Sequence, residues 1–253
     1  MKNRFKILSF GFITFALIAA GKLDFNNEPY YSISELKKLY SSGAPSTWPK
    51  ATLDSTVIDF KDIGVLPEMQ FPADNPFSEE KKQLGKQLFF DARLSESKQI
   101  ACASCHDSQL GWSDGKRVSH GHGRTEGTRN SKTILNVGYS KIFMWDGRAS
   151  SLEDQVRFPM EDVKEMNTHP DVATKNIKNI KGYKEAFKKA FGDEEVTLDR
   201  IAKAIATYER TIVSRKSKFD KFIEGDSTKL SNLEVEGLHL FRTKARCINC
   251  HNG

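Results

Sequence analysis

Cys102-Ala103-Ser104-Cys105-His106 and, near the other end, Cys247-Ile248-Asn249-Cys250-His251 spell the same C-x-x-C-H pattern twice. Two thiols one turn apart can each add to a haem vinyl group, and the histidine that follows lies beneath the iron as its proximal ligand. All four cysteines of the chain are consumed this way. A zinc ribbon brings its two C-x-x-C knuckles within roughly 15 to 20 residues, whereas about 140 separate these. A redox dithiol explains neither the repetition nor the histidines, and zinc or dithiol chemistry is left as the weaker alternative. The pattern predicts two covalently bound c-type haems, one on Cys102, Cys105 and His106, the other on Cys247, Cys250 and His251.

The elements around the two motifs also repeat. From Ser78 the spacing predicts a helix to Phe90 with Leu84, Leu88 and Phe89 on one face, broken by Asp91-Ala92-Arg93-Leu94-Ser95 just before the first motif. Ser231-Asn232-Leu233-Glu234 is a capping box that opens a second such helix, carrying Gly237 and Leu240-Phe241 where the first carries Gly85 and Leu88-Phe89. Order and composition predict duplicated haem-binding units. Between them, helices are expected over Asn176–Phe191 and, capped by Thr197, over Leu198–Ile212. In the latter, Leu198, Ile201, Ile205, Tyr208 and Ile212 form a core stripe. A short helix is expected from Ser32 or Ser34 to Tyr40, with the rest of the stretch before residue 75 extended over the surface. Strand content is expected to be minor, the one alternating stretch being Thr56–Phe60. Residues 111–150 are glycine-rich, lack apolar periodicity and concentrate His, Arg, Asn and Trp, which favours a functional loop.

Met1–Gly21 has basic residues, an apolar run from Ile7 to Ala20 and then small residues, the layout of an export signal. At about 14 residues the run falls short of the roughly 20 that cross a bilayer as a helix. Export and covalent haem agree on a bacterial periplasm, with an uncleaved N-terminal anchor as the alternative, and no membrane span is expected once the signal is cleaved. The formal charge of +6 comes from scattered lysines, with no aromatic-interleaved basic patch or glycine-rich phosphate loop, so no nucleic-acid partner is expected.

From about Leu84 to its last residue the chain resembles the bacterial dihaem cytochrome c peroxidases and their relatives that oxidise protein side chains. The resemblance rests on Leu88-Phe89-Phe90-Asp91 with Arg93-Leu94-Ser95, Gly121-His122-Gly123, Arg129-Asn130-Ser131, Trp145-Asp146-Gly147-Arg148, Glu165-Met166, Phe219-Asp220 and both C-x-x-C-H motifs. It implies a mainly α fold with two cytochrome c-like haem domains, the second truncated at the C-terminus. The expected boundaries are a signal over 1–21, an extension over 22–59, a peroxidatic haem domain over 60–215 and the incomplete start of an electron-transfer haem domain over 216–253.

The resemblance implies that peroxide reacts at the N-terminal haem. His122 stands at the family's distal-ligand position, favoured over His120, and the glycines on either side of it would let the loop move on and off iron. Trp145 is the implied relay between haems, and Gln155 and Glu165 the distal pair, Glu165 moving a proton between peroxide oxygens. Asn130 corresponds to a calcium ligand. Electrons would come from a small cytochrome c or cupredoxin, and a homodimer is compatible with the family. One departure stands out. The segment that would supply the second haem's other axial ligand does not follow His251, which suggests a fragment of a longer product; a shortened paralogue and completion by another chain are the alternatives. His239, eight residues before Cys247, is expected on a solvated face. The expected reaction is reduction of hydrogen peroxide to water, with side-chain oxidation as runner-up and a dihaem electron carrier as the reading from another class.

Overall fold

The computed structural model describes residues 30–253, so the expected export signal over Met1–Gly21 lies outside the described residues. Helices carry the fold: α1 (Ile33–Tyr40), α2 (Glu79–Phe89), α3 (Leu152–Gln155), α4 (Arg157–Glu161), α5 (Pro170–Lys178), α6 (Lys181–Phe191), α7 (Leu198–Arg210), α8 (Lys218–Ile223) and α9 (Asn232–Arg242). Among the described residues there is no sheet, only isolated bridges such as His120 with Glu126, and Thr56–Phe60 forms no strand. No helix among them is long and apolar enough to cross a membrane. The described residues divide into two compact units, one of residues 64–220 and one combining residues 30–63 with 221–253.

In the larger unit α2 lies against α7. Ser78 accepts a hydrogen bond from the Lys81 N–H to start α2, and Thr197 does the same for Arg200 at the start of α7. Leu84, Leu88 and Phe89 from α2 and Ile201, Ile205, Tyr208 and Ile212 from the α7 stripe are buried in one core, with Leu198 packed at its edge. The helices approach so closely at Gly85 that a Cβ there would collide with the Ala204 carbonyl oxygen. Gly85→Ala should therefore cost about 3 kcal/mol of unfolding free energy, the upper end for overpacking, measured by denaturant melts.

The helix expected over Asn176–Phe191 is two helices. α5 begins at Pro170, capped by His169, and ends before Asn179, where Ile180 turns to an extended conformation and starts α6. The break lets Ile177 from one helix and Tyr183 and Phe187 from the other enter the same core.

In the smaller unit α1 packs with α9. Reciprocal capping boxes start both: Ser32 with Glu35, and Ser231 with Glu234. The stretch after α1, expected to be only a surface covering, buries Trp48, and Tyr40 is fully enclosed. Both rings flank the Arg242 guanidinium, at 5.3 Å for Tyr40 and 5.1 Å for Trp48. Arg242 also pairs with Asp62 and donates to the Pro49 carbonyl at 2.7 Å and the Tyr40 hydroxyl at 3.1 Å. His239 does not lie on a solvated face. Its Nδ1 is 2.9 Å from the Tyr40 hydroxyl, because α1 covers that side of α9.

Candidate functional site

Each C-x-x-C-H run opens with a single tight turn, Cys102–Ser104 and Cys247–Asn249. In both, the N–H groups of the second cysteine and of the histidine donate to the first cysteine's carbonyl: 3.1 and 3.1 Å at Cys102, 3.2 and 3.0 Å at Cys247. The histidine ring lies 6.4 Å from the Phe of the preceding helix's Leu-Phe pair in each copy, Phe89 with His106 at 45° and Phe241 with His251 at 48°. None of the four cysteines is in a disulfide. Burial pushes the Cys102 thiol up to about 12 and raises that of Cys105.

His106 is fixed more completely. Its Nδ1 is 3.2 Å from the Trp112 carbonyl oxygen, which can only accept, so Nδ1 carries the proton and Nε2 presents a bare lone pair. Burial lowers its pKa and favours the neutral ring that binds metal. The Ser131 hydroxyl ties the surrounding loop to the motif by donating to the Cys105 carbonyl at 2.8 Å.

Cys105 and His106 open into a cavity of about 490 Å³ that is also lined by Asn130, Trp145, Gln155 and Glu165. The structure thus gathers six sequence-predicted residues from distant segments around one space. Cys102 and His122 are not in its wall, although the His122 N–H donates to the Glu165 carbonyl at 2.7 Å, which keeps the two segments adjacent. The helical turn of α3, capped by Ser151, carries Gln155, whose amide contacts the Met144 sulfur at 3.6 Å. Glu165 sits in a turn after α4. Burial, reinforced by Asp162 and opposed by Arg148, raises its carboxyl pKa.

Trp145 is 56 % exposed, so it is no ordinary core aromatic. Its indole N–H donates to the Asn130 carbonyl at 2.9 Å and Lys132 stands 4.5 Å above its ring. The Asn130 side-chain amide donates to the Lys116 carbonyl at 2.6 Å. No group of three His, Cys, Asp or Glu side chains among the described residues is arranged to hold a metal ion. His120 is paired with Glu126 at 3.6 Å, whereas the buried Nδ1 of His122 has no partner. Gly121 is required by close approach: a Cβ would run into the backbone of Lys164 and Glu165. That contact pins the start of the loop, so the freedom expected from both flanking glycines is left to Gly123, at φ +60°.

These residues fit a c-type haem. Two free thiols at the attachment spacing, a neutral imidazole with Nε2 bare and a cavity within the usual cofactor range of roughly 300–1,000 Å³ meet its needs. Sequence reasoning missed Met144 and Glu209, both in the cavity wall. Met144 could have been suspected from its place beside Trp145; Glu209, between Tyr208 and Arg210 on a helix, carries no signal.

Residues 79–228 match the family described as di-haem cytochrome c peroxidase. The chain is 42 % identical over 198 residues to the cytochrome c551 peroxidase of Nitrosomonas europaea, covering 77 % of this chain and 59 % of that protein. It is 41 % identical over 182 residues to the methylamine utilization protein MauG of Methylorubrum extorquens, covering 72 % and 52 %. A MauG-like protein associated with microbial copper homeostasis superposes with a TM-score of 0.64 at 28 % identity, covering 75 % of this chain and 55 % of that one. The chain thus spans between half and three-fifths of the length of these relatives. With the C-x-x-C pairs Cys102/Cys105 and Cys247/Cys250 in place, the chain belongs to the di-haem cytochrome c peroxidase and MauG family of haem oxidoreductases.

Proposed function

We propose that this chain is a peroxidase of the periplasm that reduces hydrogen peroxide to water with electrons from a small cytochrome c or cupredoxin. The observation that carries the reading is the convergence of His106, Gln155 and Glu165 on one cavity, with the Glu165 carboxyl held above its ordinary pKa. Bound haem would supply the redox chemistry and the peroxide-binding iron. His106 would offer Nε2 to it, and Cys102 and Cys105 would anchor it. Glu165 can accept a proton from one peroxide oxygen and return it to the other, which requires a carboxyl that ionises near the working pH. Gln155 presents an amide beside it. Trp145, half exposed at the cavity edge, is the candidate relay for electrons arriving from a haem on Cys247, Cys250 and His251. A pure electron carrier has no use for a proton-handling pocket.

Oxidation of a protein side chain is the second reading, favoured by the 41 % identity to a MauG. The deciding experiment measures peroxide turnover by the haem-loaded protein after partial reduction, with reduced cytochrome c as donor. Fast turnover supports the peroxidase; haem-replete protein without turnover removes it. The same preparation tests His122 as an iron ligand. His122→Ala should shift the resting absorption and EPR spectra of the N-terminal haem from low to high spin, and His120→Ala should leave them unchanged. An unaltered His122→Ala spectrum excludes that role.

A further inference from the structure

Glu209 is a buried acidic side chain of the cavity wall that the proposed reaction does not use. It stands on the last turn of α7, is 5 % exposed and lines the same space as Cys105 and His106. Its Oε2 is buried and has no hydrogen-bond partner. A carboxyl oxygen in such a place costs stability unless a bound group or a proton satisfies it.

The charges around it leave it uncompensated. The neighbouring Arg210 guanidinium is held by Glu153 of α3 in a two-point pair at 2.6 and 3.0 Å. On the attachment turn Cys102 feels the Glu209 charge. The other charged residues of the wall are Arg129, Lys132, Arg148, Asp162, Lys164 and Glu165. Of these, Arg129 and Arg148 pair with Asp146, and Lys132 lies over the Trp145 ring. Burial therefore dominates and pushes the Glu209 carboxyl up to about 8, with Arg210 opposing and Glu153 reinforcing the rise.

We propose that Glu209 is a proton-exchanging carboxyl of the cofactor cavity, which takes up a proton when the attached haem is reduced and releases it when the haem is oxidised. This rests on the reading of the cavity as the seat of a c-type haem. Ferric haem carries one net positive charge more than ferrous haem, and in a buried site that difference acts strongly on a nearby carboxylate. One electron from the donor goes to the iron and one proton from solvent joins the carboxylate, so the cavity's charge is conserved. Peroxide reduction consumes one proton per electron, and a carboxyl that loads with the electron keeps the two supplies in step.

The test uses the full haem-loaded chain. The N-terminal haem should show a midpoint potential that falls as pH rises from about 6 to 9, the sign expected when reduction binds a proton. Its reduced-minus-oxidised infrared difference spectrum should gain the C=O band of a protonated carboxylic acid, shifted in D₂O. Glu209→Gln should remove that band and flatten the pH dependence; Glu165→Gln should retain the band. Haem attached at Cys102 and Cys105 with no such band in the wild type, or with a band that survives Glu209→Gln, overturns the proposal. A wild-type spectrum without the band overturns the proposal even where the variant fails to load haem. Peptide mapping that finds no haem on Cys102 and Cys105 would instead overturn the reading of the cavity itself.

Discussion

Glu165→Gln should lower peroxide turnover of the haem-loaded protein by about 10²–10⁴-fold, the usual contribution of a positioned general acid–base. The substitution keeps the size of the side chain and one hydrogen-bonding oxygen, so haem attachment and the resting spectrum should not change. Glu165 is partly buried, and its pKa is raised first by that burial, then by Asp162. The pH profile carries the same information. The ionised form is needed to take the first proton, so kcat/KM should fall as pH drops, through a limb lying above the ordinary glutamate value of 4.5. The limb should vanish in Glu165→Gln. Wild-type turnover in the variant would exclude Glu165 as the proton carrier for peroxide, a role its neighbour Gln155 cannot take because it does not ionise.

Glu153→Ala should destabilise the protein by about 3–5 kcal/mol, the range for breaking a buried ion pair from one side. Glu153 accepts two hydrogen bonds from Arg210 and a third from Asn75 at 2.8 Å, and the side chains of the pair are 15 % and 9 % exposed. Removing the carboxylate leaves a buried guanidinium with no partner on a helix whose other face makes the core. Burial by itself would raise the Glu153 pKa, but hydrogen bonds from Arg210 and Asn75 outweigh it and hold the carboxyl below 4.5. A depressed folded-state pKa contributes stability at neutral pH that is lost as pH falls below the unfolded value. A Glu153→Met and Arg210→Met double variant should recover much of the loss and remove this acid-sensitive part. Urea melts of the three proteins across pH give both results; equal stability of Glu153→Ala and wild type would show that the pair is not needed.

The sequence exposed those parts of the fold that are written locally. Ser32, Ser78, Thr197 and Ser231 mark four helix starts because a hydroxyl at that position satisfies an otherwise unpaired N–H. The α7 stripe is legible because helical periodicity alone puts Ile201, Ile205 and Tyr208 on one side. The break at Ile180 is not legible, since neither proline nor glycine stands at it and α6 lacks a side-chain cap. Tyr40 and Trp48 gave no hint of burial because the group that collects them, Arg242, lies far along the chain.

The site divides in the same way. Residues inside short motifs, such as His106, Trp145 and Glu165, could be placed from the sequence, and the cavity brings them together. The opposite freedoms of Gly121 and Gly123 needed the backbone of residues 164 and 165 to be located first. Glu209 looks like any acidic residue on a helix until the cavity is built around it.

The Arg242 node has a consequence for how the molecule is made. The smaller unit joins residues 40, 49 and 62 to residue 242, so its contacts close only once residue 242 has been synthesised. The larger unit draws on the continuous stretch 64–220 and can collapse earlier. Pairings this distant in sequence form slowly, and an emerging chain whose Tyr40 and Trp48 still await Arg242 is open to proteases and aggregation. Pulse-labelling hydrogen exchange should find the amides of α2 and α7 protected well before those of α1 and α9.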